Sequence, residues 1–407
     1  MENFKWSDSA QKLTAGVADL LRNSHDGKPR IGWISTWNTK CGIATYSQHL
    51  TENFPYTLTY LAPYAEEFVR PDQSDVIRCW NQNAPDNLEK LSKTIDISKI
   101  DTLVIQFNYG FFDFLHLRHF IERQVKDEKI LVIVLHSTQD PLHAGANKRL
   151  SQLVPALKLC ARVVVHSIND LNRLKALGVE GNTMLFPHGV LEHQPSNNVA
   201  VKPSKNFKLA TYGFFLPHKG LLEFIDAVEL LRNRGIKVEA NMVNAEYPVP
   251  SSKMLVEEAK ATIERKKLRK QITLSTEFLD DEDSLTLLEK ADLILFPYQD
   301  TGESASGAVR YGLATRRPVA VTPLSIFDDI SSAVFRLPGT SASEIADGLE
   351  NLISMIKASD PSISKVSAEA NRWVEEHLYG KLARRFGNLL YALKNNKSHD
   401  ERSSAGD

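Results

Sequence analysis

Several short segments of this chain carry residue types that can hold anions, hydroxyl groups or a proton. In Gly302-Glu303-Ser304-Ala305-Ser306-Gly307-Ala308-Val309-Arg310, small residues would let a ligand approach the backbone and Glu303 could accept hydrogen bonds from sugar hydroxyls. The helix that follows Ser304, Ala305, Ser306 and Gly307 would turn its positive end toward a phosphate. Arg310, one turn in, could reach an anion or a neighbouring carboxylate. Gly213-Phe214-Phe215-Leu216-Pro217-His218-Lys219-Gly220 brings Lys219 to another helix start, where a point charge and free N–H groups together suit a diphosphate. A solvated lysine in a capping turn is the plainer alternative.

The first half offers a matching set. Asn38-Thr39-Lys40-Cys41-Gly42-Ile43-Ala44 joins the strand-like IGWIS to the helix-like TYSQHLTENF, the kind of junction at which open α/β sheets bind ligands, with Gly42 allowing close backbone approach. It is neither GxGxxG nor a P-loop, and an ordinary tight turn would also explain it. Gln106 to Phe112, with Asn108 and Tyr109, and His136 to Pro141, with Asp140, each lie just past an apolar strand. His136 is the sharper candidate, able to donate to a sugar hydroxyl, against a structural histidine. His166-Ser167 reads first as a helix N-cap. His188 and Gly189 fit either a cleft or a turn into a linker.

The run Asp280-Asp281-Glu282-Asp283 has the look of a DxD metal string, but acidic residues ahead of SLTLLEKADL fit a helix start better, and no metal is expected. HExxH, a serine elbow and a Cys/His dyad are absent, which weakens hydrolase readings.

The elements that must position these segments follow from the apolar pattern. Runs at 31–35, 103–106, 130–135 and 162–166 end in small or polar residues and alternate with helical stretches, as buried parallel strands do. A polar stretch, 191–206, reads as a linker; the pattern then restarts at 208–212, 237–243, 272–275, 293–296 and 319–322. The expected organisation is an α/β domain over 1–192, a second over 207–366, a terminal helix over 367–394 and a disordered tail over 395–407. At 407 residues the chain has room for two to three domains of about 150 residues. Lys+Arg of 49 against Asp+Glu of 50 gives no basic field for nucleic acid. Three cysteines without CxxC spacing, no signal-peptide start and no run of about 18 apolar residues point to the cytoplasm, at most peripheral on the inner face of the membrane. The segment LTAGVADLLRNS is mildly amphipathic, and packing on the domain is the plainer reading of it.

The pieces NTKCGIATYS, HSTQDP, FPHGV, HKG and ESASGAVRYGLATRRPVAVT, in this order across roughly residues 30 to 390, resemble the retaining family 4 of nucleotide-sugar-dependent glycosyltransferases. The resemblance implies a GT-B fold, α/β with two Rossmann-like domains facing across a cleft, and a terminal helix crossing back to the N-terminal domain. It implies a donor, a GDP- or UDP-linked sugar, against the second domain, with the acceptor against the first, where Asn38, Lys40, Asn108, Tyr109 and Asp140 are the candidates. Gly42 would match the glycine loop near the donor phosphates, His136 the histidine near the transferred sugar, Lys219 the diphosphate lysine, and Glu303 the first glutamate of an E-x7-E motif. The second glutamate, a ribose ligand, falls on Tyr311, and the arginine accompanying the lysine falls on Phe214. QFNYGFF looks like QHEYGIF with Phe107 and Asn108 replacing a histidine and a glutamate.

The expected function is therefore metal-independent, retaining transfer of a hexose from a nucleoside diphosphate sugar to a glycan or lipid-linked acceptor in surface polysaccharide assembly. Catalytic roles fall to His136, Glu303 and Lys219, and donor contacts to Gly42, Ser304 to Gly307, Arg310 and Tyr311. The partners are the sugar nucleotide and the acceptor; a membrane surface or a protein partner is left open. Alternatives are a GT-B activity on small molecules, such as a sugar-phosphate synthase or nucleotide-sugar epimerase, and a catalytically weak sugar-nucleotide-binding subunit of another transferase.

Overall fold

The computed structural model describes residues 28–82, 85–141, 145–194 and 206–404. The amphipathic N-terminal segment, residues 195–205 of the expected linker and the last three residues of the tail lie outside the described residues.

Strands β1 (Ile31–Ile34), β2 (Leu58–Pro63), β3 (Val76–Trp80), β4 (Thr102–Phe107), β5 (Ile130–Leu135), β6 (Arg162–Val165) and β7 (Thr183–Leu185) form a parallel sheet in the order β3-β2-β1-β4-β5-β6-β7. Its two faces bury different side chains of the same strand. Leu103 and Ile105 of β4 enter one core with Leu61 and Ile133, whereas Val104 enters the other with Trp33 and Val134, as the two-residue strand period requires. Apolar runs disclosed the central strands but not β2 and β3. The first ends in a proline, and the second is an edge strand with its first three residues only partly buried.

A second parallel sheet contains β8 (Phe207–Phe214), β9 (Val238–Ala245), β10 (Ile272–Ser275), β11 (Leu293–Phe296), β12 (Val319–Val321) and β13 (Phe335–Arg336), in the order β10-β9-β8-β11-β12-β13. Leu293 and Leu295 face one core and Ile294 and Phe296 the other. Both sheets reverse their order next to the first strand, β1 or β8. Loops there open at the carboxyl ends of the strands, where such sheets bind ligands.

The C-terminal region departs from the single helix expected over 367–394. There are two helices, Pro361–Glu376 and Tyr379–Ser404. At the break, Val190 N–H donates to His377 O (2.9 Å) and Tyr379 N–H to Val190 O (3.0 Å), so that the backbone pairs with the segment leaving the first domain. The first helix stays on the second domain through Trp373 and Val374, while the second returns to the first through Leu382, Phe386 and Leu390. Phe386 is fully buried, edge-on to Trp33 at 5.9 Å. The tail expected to be disordered is helical as far as Ser404. No glycine or proline follows Gly387 before Gly406, and a helix nucleated by its packed half propagates without further apolar anchors. Among the described residues, no helix is long and apolar enough to cross a membrane.

Candidate functional site

The two carboxyl edges face each other across a cleft of about 710 Å³. On the first domain the helix Gly42–Thr51 presents Gly42, Tyr46 and His49, spaced i, i+4 and i+7 and therefore on one face, to this cleft. A Cβ built on Gly42 meets nothing within 4 Å, so neither backbone angle nor packing requires glycine there. What its missing side chain leaves open is cleft volume. Loop contacts hold the walls together: Ser137 Oγ–H donates to Gly302 O (2.7 Å), and Ser304 N–H approaches His136 O at 3.4 Å.

On the second domain Lys219 and Glu303 form an ion pair, Lys219 Nζ lying 3.0 Å from Glu303 Oε2 and 4.0 Å from the centre of the Tyr298 ring. His218 Nε2 is 3.4 Å from the other carboxylate oxygen. Burial opposes both charges, but the partners outweigh it: the Lys219 pKa is raised, and that of Glu303 is held far below the ordinary carboxylate range. Gly220 fixes this geometry. Its φ is +65°, and a Cβ there would sit 1.8 Å from Pro297 O, so only glycine lets the lysine turn approach the strand end. Beyond Glu303, Ala305 and Gly307 line the cleft at the start of helix Gly307–Ala314.

His136 lies at the floor. Its Nε2 is 2.7 Å from Gln106 Oε1. With His166 and His188 it surrounds the Tyr46 ring, at centroid distances of 5.0, 5.4 and 4.8 Å. Burial lowers the pKa of all three imidazoles; neighbouring positive charge adds to it at His136 and His188, while at His166 burial outweighs the opposing Phe186 carbonyl and Asp170, so all three are neutral at pH 7. Gly189 beside them gives room to Tyr379, whose ring would lie 2.4 Å from a Cβ.

Several expected ligands are placed elsewhere. Arg310 is 2% exposed and turned away from the cleft; it pairs with Asp329, donates to Ser306 O (2.7 Å) and faces the Trp373 ring. Ser306 is the N-cap of helix Gly307–Ala314, accepting from Val309 N–H and bonded to the Tyr298 hydroxyl (2.9 Å). Ser304 is buried beside the cleft and does not line it. On the acceptor side, Asn38 and Asn108 line the cleft, whereas Lys40 is exposed outside it. Tyr109 donates to Asp140 (2.9 Å), and Asp140 also accepts Leu150 N–H (2.8 Å), so this pair braces loops. Asp280 caps the helix Asp281–Leu288 through Asp283 N–H, as the capping reading expects. Among the described residues, no group of three His, Cys, Asp or Glu is arranged to hold a metal.

His49, Tyr247 and Phe278, which also line the cleft, escaped sequence reading. Tyr311 donates to Asp281 Oδ1, and His49 Nε2 reaches Asp281 Oδ2 at 2.8 Å across the domain boundary. The i+7 spacing from Gly42 was the available signal for His49. Phe214 stacks on Phe278 (5.7 Å, planes 8° apart) and meets Tyr247 edge-on, forming an aromatic wall from the end of β8 and two loops.

No family model matches the sequence. Among solved structures, Anabaena HepE in complex with UDP aligns with a TM-score of 0.69 at 14% identity over 89% of this chain and 100% of its own. A glycosyltransferase from Rickettsia africae aligns with 0.70 at 14% over 90% and 98%. Sucrose-phosphate synthase of Thermosynechococcus elongatus gives 0.69 at 14% over 90% and 99%. With two parallel sheets facing across one cleft and a terminal helix returning to the first, the chain has the GT-B fold that these structures share.

Proposed function

We propose that the chain is a glycosyltransferase that moves a hexose, with retention, from a nucleoside diphosphate sugar to a glycan or lipid-linked acceptor in surface polysaccharide assembly, at the cytoplasmic face of the membrane. The observation that carries this reading is the Lys219–Glu303 pair beside a helix N-terminus, facing His136 across the cleft. A diphosphate entering there would draw Lys219 from the carboxylate, and Glu303 would turn its freed oxygen to a sugar hydroxyl. Lys219 and the start of helix Gly307–Ala314 would then stabilise charge developing on the leaving group without a metal. The anomeric carbon–phosphate oxygen bond breaks, the acceptor oxygen bonds the same carbon from the same face, and its proton passes to the departing phosphate. His136, uncharged, orients the sugar.

HepE of Anabaena has been crystallised with UDP, with UDP and glucose, and with UDP-glucose, which favours UDP over GDP as the donor nucleotide here. Donor turnover, followed as nucleoside diphosphate release, tests the reading. It should occur with one donor and be abolished in the Lys219→Ala, Glu303→Ala double variant; unchanged turnover there overturns the assignment.

A specific observation favours a second reading, a sugar-nucleotide-binding subunit with little activity of its own. Phe214, stacked on Phe278, occupies the place where the family resemblance leads one to expect an arginine. Tight donor binding with no release of diphosphate in any acceptor mixture would select it.

A further inference from the structure

Glu303 is not the only carboxylate held ready in the cleft. Asp281 opens the helix Asp281–Leu288, whose first turn is fixed by the Asp280 cap, and its side chain is 40% exposed at the cleft wall. Each of its oxygens is held by one donor, Oδ1 by the Tyr311 hydroxyl and Oδ2 by His49 Nε2 at 2.8 Å. A carboxylate offers about four lone-pair positions, so two remain after these bonds. Ser284 lies on the same wall. It is 1% exposed, and its hydroxyl, beside that of Tyr212, makes no hydrogen bond of normal geometry.

The order of groups along the wall narrows the ligand. Glu303 precedes the start of helix Gly307–Ala314 and Tyr311, which carries Asp281, sits one turn inside it. Two oriented carboxylates thus flank a helix N-terminus, an arrangement that suits an anion between two hydroxyl-bearing rings. We propose that Asp281, positioned by Tyr311 and His49, accepts hydrogen bonds from the vicinal hydroxyls of the donor's ribose, with Ser284 as the adjoining polar group. The proposal rests on the nucleotide-sugar reading given above and adds to it a ribose acceptor that the E-x7-E pattern of the chain does not contain. Asp281 is in its charged form for this role. Burial opposes ionisation, but the His49 and Tyr311 hydrogen bonds and the charge of Arg70 hold its pKa below the ordinary value.

Calorimetric titration of UDP and GDP, each against its 2′-deoxy and 3′-deoxy counterpart, tests this on the unaltered protein, Asp281→Asn and Tyr311→Phe. For the nucleotide that binds, loss of a ribose hydroxyl should weaken affinity about tenfold in the unaltered protein, the size of one charge-assisted hydrogen bond. Asp281→Asn should weaken the ribonucleotide by a similar factor and leave the deoxynucleotide unchanged, and Tyr311→Phe should fall between. Such coupling to one hydroxyl is not produced by a merely structural role. Equal binding of ribo and deoxy forms by the unaltered protein overturns the proposal without needing any variant to fold, and equal weakening of both by Asp281→Asn makes the carboxylate only a brace between domains. If the unaltered protein binds neither ribonucleotide, the nucleotide-sugar reading itself fails, and this inference with it.

Discussion

Lys219 Nζ and Glu303 Oε2 are 3.0 Å apart in the cleft, the lysine side chain 9% exposed and the glutamate 43%. The asymmetry sets what each substitution does. Glu303→Ala leaves a buried ammonium facing an aromatic ring and should cost about 1–3 kcal/mol in chemical denaturation, whereas Lys219→Ala leaves a half-solvated carboxylate and should cost less. Because the folded pKa of Glu303 is depressed, its contribution is full above the ordinary glutamate range near 4.3 and is lost as pH falls through the lower folded value. Glu303→Gln should remove that part of the acid unfolding profile.

The three imidazoles around Tyr46 act in the same direction. Their folded pKa values lie below the ordinary 6.5, so below that pH the unfolded chain binds protons that the folded one refuses. Stability should fall as pH drops from about 6.5, by up to about 1.4 kcal/mol per pH unit for each histidine. Denaturation midpoints between pH 7 and 5 measure this slope, and His166→Gln should reduce it by roughly a third. A flat profile would contradict neutral burial of the cluster.

Arg310 and Lys219 should separate by phenotype. Arg310→Ala strands Asp329 and removes a buried guanidinium, at a cost of about 3–5 kcal/mol. Its effect belongs in the unfolding curve, with ligand affinity at temperatures below the transition retained. Lys219→Ala should show the opposite pattern.

Gly42→Val is predicted to keep the melting temperature within a few degrees, since a Cβ meets nothing there and valine is no worse a helix former than the glycine it replaces. The added methyl groups enter the cleft, so ligand affinity should fall at least tenfold. Intact affinity would mean that no ligand approaches this helix start.

Sequence patterns disclosed what is repeated along the chain and missed what depends on pairing at a distance. The alternation of apolar strands with helices is local, and so both sheets were legible at their centres. The edge strand β3 lacks a continuous apolar run because Arg78 interrupts it, at a place where the strand is only partly buried. Lys219, Glu303, His136 and Gly42 each stand at a strand end or helix start, a position readable from neighbouring residues. Arg310 was ambiguous for a physical reason. At four residues past the N-cap its guanidinium can serve a ligand or a carboxylate, and only the return of the segment carrying Asp329 decides. Asp281 was read through its helix-starting neighbours; its partners His49 and Tyr311 are 232 and 30 residues away in sequence.

This cleft is expected to bind and turn over a nucleotide sugar. Thermal unfolding with UDP-, GDP-, ADP- and dTDP-sugars, repeated on Lys219→Ala and Glu303→Ala, tests it most directly, because a ligand at 100 times its Kd adds about 2.7 kcal/mol to stability. A rise in melting temperature is expected with one donor, UDP-linked, accompanied by slow release of the free diphosphate and lost in both variants. No shift with any of the four donors, or a shift that survives in both variants, would contradict it.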